Sequence, residues 1–551
     1  MRRTWLASLI VITTITLNAC STSSSESADA APSTDSLVHE LLTHCTDLSV
    51  PKLGPGKLCL DKDFRWSTDD FSFANWGSST MATGNVTAQT LVSLFGHDAV
   101  CVASEASSCI LRPAAIQKLE EWNTALNGGR CEGLATLSTR LRLGMESLSA
   151  YQPNARNTAE LSVDNPLLNE SIVRWWATQF LEEVTHRAAE ARERSPLQLV
   201  GDLFFSLGND RGDTIGMYQG TSGHSVTPFA ITLRGDDFII HVYDNNHPGK
   251  RFEIFVNSKT NTWRYPNAFH GLDGSVITWK GGTGSLELTP MSSRKGPFRC
   301  PFCTTSLATA PNVVTIASRD VSEAGFVEVT TDAGTFLSSP TGITNTISGA
   351  TYSIGKGSTG GLITVTIPHA ITDFDIRLKR ESKNLSAADV VVGLRRSDGA
   401  TLQVTGDLAR DVLDDAHQSS ALLSVHKDRT LVHAPSSNSA QLSLAAGSRI
   451  TRRTLNAGEI ITVRSISGNS IEVALKGAKG ATTPFAKIPL LQKSETIELT
   501  MSIDDRGHLT FLPSRLEPVR VVVPKVPNFT PGKPNQTTRT TVPSIEISEP
   551  D

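Results

Sequence analysis

Residues 222–246 read SGHSVTPFAITLRGDDFIIHVYDNN, and this stretch carries most of what the sequence predicts about the fold. Residues 225–233 and 238–244 form two runs rich in β-branched and aromatic side chains, and the polar residues 234–237 between them are typical of a hairpin turn. If the two runs pair around that turn, His224 and Asp244 emerge near the open end of the same hairpin. The stretch therefore predicts two antiparallel strands that bring an imidazole close to a carboxylate.

Helical patterns lie before this hairpin, and further strands lie after it. Apolar spacings of three and four residues predict helices, and β-rich runs predict strands. A serine followed by a proline adds a typical helix start. The predicted helices cover residues 113–126, 131–143 and 169–193 and begin again at Ser195-Pro196, and the predicted strands cover 251–256 and 262–265. Helices followed by antiparallel strands are the pattern of an α+β domain, which we place at residues 37–300.

Residues 310–525 have a different composition. They are rich in Thr, Ser, Val, Ile and Gly, with short alternating runs separated by turn residues. This pattern predicts an all-β region built as a β-sandwich or as a pair of small β modules, and we expect the sandwich. No cluster of acids or histidines converges there, so its expected role is structural or ligand-presenting.

The N-terminus carries the pattern of an export signal. Residues 1–19 combine Arg2 and Arg3 with an apolar run that is too short to span a bilayer. The run ends Leu17-Asn18-Ala19-Cys20, which resembles the lipobox of bacterial lipoproteins. The resemblance implies that Cys20 is diacylated and becomes the N-terminus of the mature protein.

Composition and charge indicate where such a protein would act. The Ser-rich residues 20–36 predict a flexible tether behind the acylated cysteine, and the Pro-rich residues 526–551 predict a disordered tail. The expected location is that of an exported lipoprotein, anchored by its lipid to the cell membrane or the outer membrane. The formal charge of −4, from 51 basic and 55 acidic residues, argues against nucleic acid as a partner because phosphate neutralisation needs a basic surface.

A further segment, GGRCEGLA at residues 128–135, supplies a third candidate functional group beside the imidazole and the carboxylate, namely a thiol. Cys131 lies where a flexible loop enters a predicted helix, and the N-terminal dipole of a helix favours a thiolate. Gly129 and Gly133 would let a substrate backbone approach closely. A carboxylate that accepts from one ring nitrogen of His224 fixes the tautomer, so that the other nitrogen faces a thiol.

The order of these segments resembles that of the papain-like cysteine hydrolase superfamily. The shared features are a cysteine at a helix start, Gly-His at the start of a strand, and Asp or Asn at the end of the next strand. The chain also resembles a group of secreted bacterial lipoproteins with the patterns Cys-x-Gly-x-Ala, Gly-His-x-Val-x-Pro and Tyr-Asp-Asn-Asn. The resemblance covers roughly residues 70–265. It implies that Cys131 is the nucleophile, His224 the general base and acid, and Asp244 the orienting residue, with Asn245 as the alternative third member.

Two positions depart from the family pattern. The family usually places a glutamine shortly before the nucleophile as a donor to the oxyanion, whereas the nearest amide here is Asn127. We expect Asn127 and the backbone N–H of Cys131 to form that pair of donors. The aromatic residue that usually follows the nucleophile is replaced by Glu132.

The resemblance implies acyl transfer on amide or peptide bonds. Water as the acceptor would make the enzyme a cysteine peptidase or amidase, and an amine would make it transglutaminase-like. The expected partners are a peptide or protein substrate, with the peptides of peptidoglycan as one candidate, and a membrane through the N-terminal lipid. The alternative is a catalytically inactive hydrolase fold that serves as a surface-binding or adhesion lipoprotein.

No cofactor and no metal are expected. His39 and His44 flank a glutamate as in zinc proteases, but five-residue spacing puts them about 140° apart on a helix, where they cannot share a metal. Gly355-Lys356-Gly357 resembles a phosphate-binding loop only in part, because no Ser or Thr follows the lysine.

Six of the eight cysteines remain once Cys20 and Cys131 are assigned. In an exported protein they are expected to form disulfides. Fifteen connectivities are open, and proximity along the chain favours Cys45 with Cys59, Cys101 with Cys109, and Cys300 with Cys303.

Overall fold

The structure is a computed structural model. It describes residues 34–48, 50–77, 84–102, 107–270, 276–303, 310–318, 326–339, 342–356, 361–380, 390–408, 410–411, 421–435, 438–466, 470–489, 497–516 and 518–521. The predicted export signal, Cys20, most of the tether and the predicted tail lie outside these residues.

The first part of the described chain is mixed α+β, as predicted. Its helices are α1 Thr34–Thr43, α2 Ala88–Phe95, α3 His97–Val100, α4 Pro113–Leu126, α5 Cys131–Arg142, α6 Pro166–Ala177, α7 Glu182–Glu193 and α8 Pro196–Gly208. Its strands are β1 Lys57–Asp61, β2 Ser108–Cys109, β3 Asp213–Gln219, β4 Ser222–Arg234, β5 Asp237–Tyr243, β6 Arg251–Asn257, β7 Thr262–His270, β8 Val276–Gly281 and β9 Leu286–Pro290.

One eight-stranded sheet organises this part. Its order is β8-β7-β6-β5-β4-β3-β9, with β1 added to β4. The predicted hairpin is β4–β5, in which Arg234 pairs with Asp237 and Thr227 pairs with Tyr243. Helix α5 packs against β4, where the hydroxyl of Thr227 donates to the carbonyl of Ala135 at 3.1 Å. The sheet therefore carries the helix that begins with Cys131.

The prediction of one continuous helix over residues 169–193 is wrong. Helix α6 ends at Ala177, a 3₁₀ turn follows over Thr178–Phe180, and α7 starts only at Glu182. Leu181 between them is extended, with φ −92° and ψ 145°, and its side chain is buried. The hydroxyl of Thr178 donates to the carbonyl of Trp175 at 2.6 Å. The apolar repeat thus continues across a break, because buried residues on both sides of a turn keep the same spacing.

The second part of the described chain is a large β-rich region. Its strands are β10 Asn312–Ser318, β11 Phe326–Thr331, β12 Gly334–Ser339, β13 Gly342–Asn345, β14 Thr351–Ile354, β15 Gly361–Ile367, β16 Phe374–Arg380, β17 Val390–Arg395, β18 Thr401–Gly406, β19 Arg410–Asp411, β20 Leu423–Val425, β21 Arg429–His433, β22 Ala440–Ala446, β23 Arg449–Leu455, β24 Ile460–Ile466, β25 Ser470–Lys476, β26 Ala486–Pro489, β27 Ile497–Ile503 and β28 Leu509–Arg515.

All of these strands belong to two large sheets. One has nine strands in the order β14-β15-β10-β17-β18-β22-β23-β27-β28. The other has ten, in the order β13-β12-β11-β16-β20-β21-β24-β25-β26, with β19 added to β16. A single apolar cluster contains residues of both sheets, among them Ile316 of β10 and Val329 of β11. The two sheets therefore share one core.

The two parts of the chain contact each other extensively. Helix α4 lies against the nine-stranded sheet, where Gln117 Nε2 donates to the carbonyl of Ser443 at 3.0 Å. Trp122 of the same helix shares an apolar cluster with Leu362 and Val391. A last strand, β29 Val519–Arg520, returns to pair with β2.

Candidate active site

Cys131 is the first residue of α5, as the sequence predicts. Gly129, two residues before it, has a φ of +116°, and a Cβ there would lie 2.7 Å from Asn75 Nδ2. The side chain of Arg130 does not cap the helix, because its guanidinium donates to the carbonyls of Trp76 and Gly84. The first backbone N–H groups of a helix have no intrahelical partner, so those of α5 are available beside the thiol.

Gly133 serves helix packing rather than the approach of a substrate. A Cβ at this position would lie 2.1 Å from the carbonyl oxygen of Ile172 in α6. The glycine therefore lets α5 and α6 lie in close contact, and the expectation of a substrate-facing role for it is wrong.

His224 and Asp244 meet as the hairpin predicts. His224 lies near the start of β4, and Asp244 directly follows β5. Nε2 of His224 is 2.8 Å from Oδ1 of Asp244. The hydroxyl of Tyr265 donates to Oδ2 of Asp244 at 2.6 Å, and the N–H of Asn246 donates to Oδ1 at 2.8 Å. Three donors thus fix this buried carboxylate against the imidazole.

The thiol of Cys131 completes the arrangement. Cys131 lies close enough to His224 to raise the pKa of the imidazole. Nε2 of the ring is occupied by Asp244, so a proton exchanged with the sulfur would pass through Nδ1. The exposed fraction of Cys131, His224 and Asp244 is 0% for each residue. The structure therefore brings all three predicted side chains together in one enclosed site.

The electrostatics of the site favour a charged imidazole. Burial lowers the pKa of His224, but the charge and hydrogen bond of Asp244, together with Cys131, raise it to about 10. Burial raises the pKa of Asp244, and the charge and hydrogen bond of His224 outweigh it, so that this pKa stays below its usual value. Each member of the pair thus stabilises the charged form of the other.

Asn245, the alternative third member, has a different position. Its Nδ2 donates to the carbonyl of Cys131 at 3.1 Å and to the carbonyl of Ser225 at 2.8 Å. It therefore ties the first residue of α5 to β4 through the backbone, while Asp244 is the residue placed against the ring of His224.

Asn127, the predicted oxyanion donor, caps the C-terminal end of α4. Its N–H donates to the carbonyls of Thr124 and Ala125. Within the described part of the chain, its side chain makes no hydrogen bond to Cys131 or His224. Its role as an oxyanion donor stays a prediction.

Asn75 is a site residue that the sequence did not reveal. Its Oδ1 accepts from the N–H of Arg130 at 2.6 Å, and its Nδ2 donates to Oδ1 of Asn246 at 3.0 Å. Its own N–H donates to the carbonyl of Asn245 at 2.7 Å. Asn75 therefore bridges the loop before Cys131 and the turn after Asp244, although residues 73–77, FANWG, show no catalytic pattern. Tyr265 was missed in the same way, because a tyrosine inside a strand gives no signal of its partner.

The cysteines form the three bridges that proximity favours. Disulfides join Cys45 to Cys59, Cys101 to Cys109 and Cys300 to Cys303. Within the described residues, Cys131 is the free cysteine. The prediction that these six cysteines pair locally is confirmed.

The described residues show neither a cluster of metal-ligating side chains nor a helix suited to span a membrane. No group of three or more His, Cys, Asp or Glu side chains in that part of the chain is arranged to hold a metal ion. None of the helices described there combines the length and apolar character needed to cross a membrane.

The comparisons with known proteins give no relative. No protein-family model matches the chain, and neither a curated protein nor a solved structure shows significant similarity to it.

Proposed function

We propose that this protein is a papain-like cysteine hydrolase that transfers acyl groups from amide or peptide bonds through Cys131. The observation that carries the proposal is the position of His224, which contacts Asp244 through Nε2 and lies close to the thiol of Cys131 at a helix N-terminus. Nucleophile, base and orienting residue in this geometry are the arrangement that activates a thiol.

The proposed reaction begins with a thiolate of Cys131 and a protonated His224. The sulfur attacks the carbonyl carbon, and the negative charge moves to the oxygen, near the backbone N–H groups at the start of α5. When the C–N bond breaks, His224 gives its proton to the leaving amine, and a thioester remains on Cys131. Water then loses a proton to His224 and attacks the thioester, which releases the carboxylic acid and restores the thiolate–imidazolium pair.

Asp244 and its donors keep the imidazole in place through both steps. The carboxylate fixes the ring orientation and stabilises the imidazolium. Tyr265 and the N–H of Asn246 hold the carboxylate itself. If an amine replaces water in the second step, the same residues support a transglutaminase-like transfer.

The expected setting of this reaction is the bacterial envelope. Three disulfides in one chain are typical of an oxidising compartment and support export. The lipobox-like sequence ending at Cys20 supports a lipid anchor in the cell membrane or outer membrane. Envelope peptides, including those of peptidoglycan, are therefore the first substrates to test.

Complete burial of the thiol has a direct consequence for catalysis. Because Cys131 and His224 are fully enclosed, a substrate reaches the sulfur only after part of the surrounding shell moves. The same burial is the observation that favours the alternative, an inactive hydrolase fold that binds a surface partner. The two functions differ in whether the thiol is activated.

Alkylation of Cys131 by iodoacetamide tests the proposal. The mature protein, the His224→Ala variant and the His186→Ala variant are compared, since His186 is 70% exposed and lies outside the site. The movement that exposes the sulfur is expected to be the same in all three proteins. The ratios of their alkylation rates therefore report on activation of the thiol. We expect His224→Ala to lose most of the rate near neutral pH and His186→Ala to keep it. Equal, slow rates in all three proteins would reject an activated thiol.

A further inference from the structure

A buried cluster of ionised side chains lies beside the candidate active site. The sequence places its members far apart, and the reaction above does not use them. The cluster consists of Glu132 of α5, Arg192 of α7, Glu287 of β9, Arg294 in the 3₁₀ turn Met291–Arg294, and Lys356, two residues after β14. Four of these side chains are 0–3% exposed, and that of Arg192 is 21% exposed.

Lys356 connects the two carboxylates of this cluster. Its Nζ lies 3.0 Å from Oε2 of Glu132 and 2.7 Å from Oε1 of Glu287. Arg294 contacts the other oxygen of Glu132, and Arg192 contacts the other oxygen of Glu287. Each carboxylate is thus held between two cations, and Lys356 is shared by both.

The cluster reaches the residues that directly follow Cys131 and His224 in the chain. Glu132 directly follows Cys131 in α5, and the side chain of Ser225, which directly follows His224, lies close to its carboxylate. Burial raises the pKa of Glu132, but the charges of Lys356 and Arg294 outweigh it and lower the pKa to about 2. A change in the cluster therefore acts on the first turn of α5 and on the start of β4 together.

Lys356 comes from the β-rich region and is inserted into the first part of the chain. Its backbone N–H donates to Oε1 of Gln179 at 2.5 Å. Gly355 fits closely against Phe180, since a Cβ there would lie 2.7 Å from the phenyl ring. The carbonyl of Gly355 also lies near Gly223, the residue before His224. The insertion is thus fixed by backbone contacts as well as by the ammonium group.

We propose that Lys356 is a positioning residue of the active site, supplied by the β-rich region to hold Glu132 and, through it, the first turn of α5 that carries Cys131. The β-rich region is then part of the catalytic unit rather than a separate binding module. This inference rests on the proposed function, because it assigns Lys356 a role in aligning the thiol with His224.

The physical reason lies in the cost of burying the two carboxylates. If Lys356 is removed, Glu132 keeps only Arg294 and Glu287 keeps only Arg192 as a cationic partner. No positive charge then lies between the two carboxylates. Removing one partner of a buried ion pair leaves an uncompensated charge and is strongly destabilising. Glu132 would then move or take a proton, and either response displaces the residue bonded to Cys131.

The test compares the rate of Cys131 alkylation in four full-length variants. Lys356→Met/Glu287→Gln removes one cation and one carboxylate together, which limits the charge imbalance. Lys356→Arg keeps the cation, and Lys259→Met removes a lysine whose side chain is 74% exposed. His224→Ala reports on the proposed function itself.

We expect the double variant to alkylate about tenfold more slowly than the wild type near pH 6 and to approach it near pH 9, where ordinary thiols are ionised. Lys356→Arg should recover most of the rate near pH 6, and Lys259→Met should not change it. A merely structural role would lower the melting temperature without this dependence on pH. If the double variant does not fold, Glu132→Gln carries the same expectation, since it keeps the side-chain shape and weakens both ion pairs of Glu132.

Two outcomes separate the inference from the function on which it rests. If His224→Ala is slow but the Lys356 and Glu132 variants follow the wild-type pH profile, the positioning role is wrong and the proposed function stands. If His224→Ala itself follows the wild-type profile, the proposed function is wrong, and the positioning role is wrong with it.

Discussion

Replacing Asp244 with asparagine removes the charge that keeps His224 protonated. Asp244 is fully buried and accepts from His224, Tyr265 and the N–H of Asn246. Asparagine has nearly the same shape, so the change affects the charge far more than the packing. Burial, which lowers the pKa of His224, then acts without the opposing carboxylate.

The size of the effect follows from the pKa of His224. In the wild type, a pKa of about 10 keeps the imidazole charged from pH 6 to pH 9, whereas burial without the carboxylate lowers this pKa below its ordinary value, so the charge is lost over most of that range. Without the imidazolium, the thiol has no cation to stabilise its thiolate. An ordinary thiol that titrates near 8.5 is only about 0.3% ionised at pH 6 and about 75% ionised at pH 9. Asp244→Asn should therefore slow alkylation by about 10²-fold near pH 6 and by less than about threefold near pH 9.

The assay measures the second-order rate constant for iodoacetamide at Cys131 by peptide mass spectrometry across this pH range. Tyr265→Phe is the matched control, since it removes one donor to Asp244 and keeps the charge. It should retain a wild-type-like pH profile with a smaller loss of rate. An Asp244→Asn profile that coincides with the wild type near pH 6 would refute the role of Asp244 in charging His224.

Three further predictions concern residues around the site. Burial, partly offset by the N–H of Gly249, raises the pKa of Asp70 to about 6, above its usual 3.8, so ionising Asp70 costs stability in the folded protein as pH rises from about 4 to about 6. Relative to wild type, Asp70→Asn should gain about 1–2 kcal/mol of unfolding free energy between pH 4 and pH 7, and chemical denaturation showing no such gain would contradict this. Asn75→Ala should slow alkylation of Cys131 near pH 6 by about tenfold, because it unties the loop before the thiol from Asn246, and an unchanged rate would exclude that role. With Cys20 acylated as proposed, thiol counting by mass spectrometry on the unreduced mature protein should find one free cysteine, Cys131, and three or more would break the disulfide assignment of the described cysteines.

The sequence predicts best those features that depend on neighbouring residues. Helix α4 has the predicted bounds, and α5 begins at the predicted Cys131. The β4–β5 hairpin follows from two β-rich runs and a polar turn, so the meeting of His224 with Asp244 could be expected. Cysteines that are close in sequence paired as proximity favours. In each case the pattern and the partner lie in one short stretch of chain.

Features that depend on distant contacts were not predictable. The strands β3 and β9 pair at the edge of the sheet, and no local pattern reports that pairing. In the sequence, Lys356 belongs to an incomplete phosphate-loop pattern, and a lysine among glycines gives no sign of two buried carboxylates. The sequence gives no sign that the helix is interrupted at Leu181, because an apolar repeat has the same spacing on one helix and on two successive helices. The residues that complete the candidate site therefore come from tertiary packing.

The most direct measurement of the central claim is the detection of an acyl group on Cys131. The mature protein is incubated with an activated ester or a peptide substrate from the bacterial envelope, and intact-mass and peptide mass spectrometry follow the adduct over time. We expect a thioester on Cys131 that forms and then hydrolyses, that is absent in Cys131→Ala, and that forms slowly in His224→Ala. An adduct on Cys131 that forms at the same rate in His224→Ala, or no adduct with any acyl donor, would contradict it.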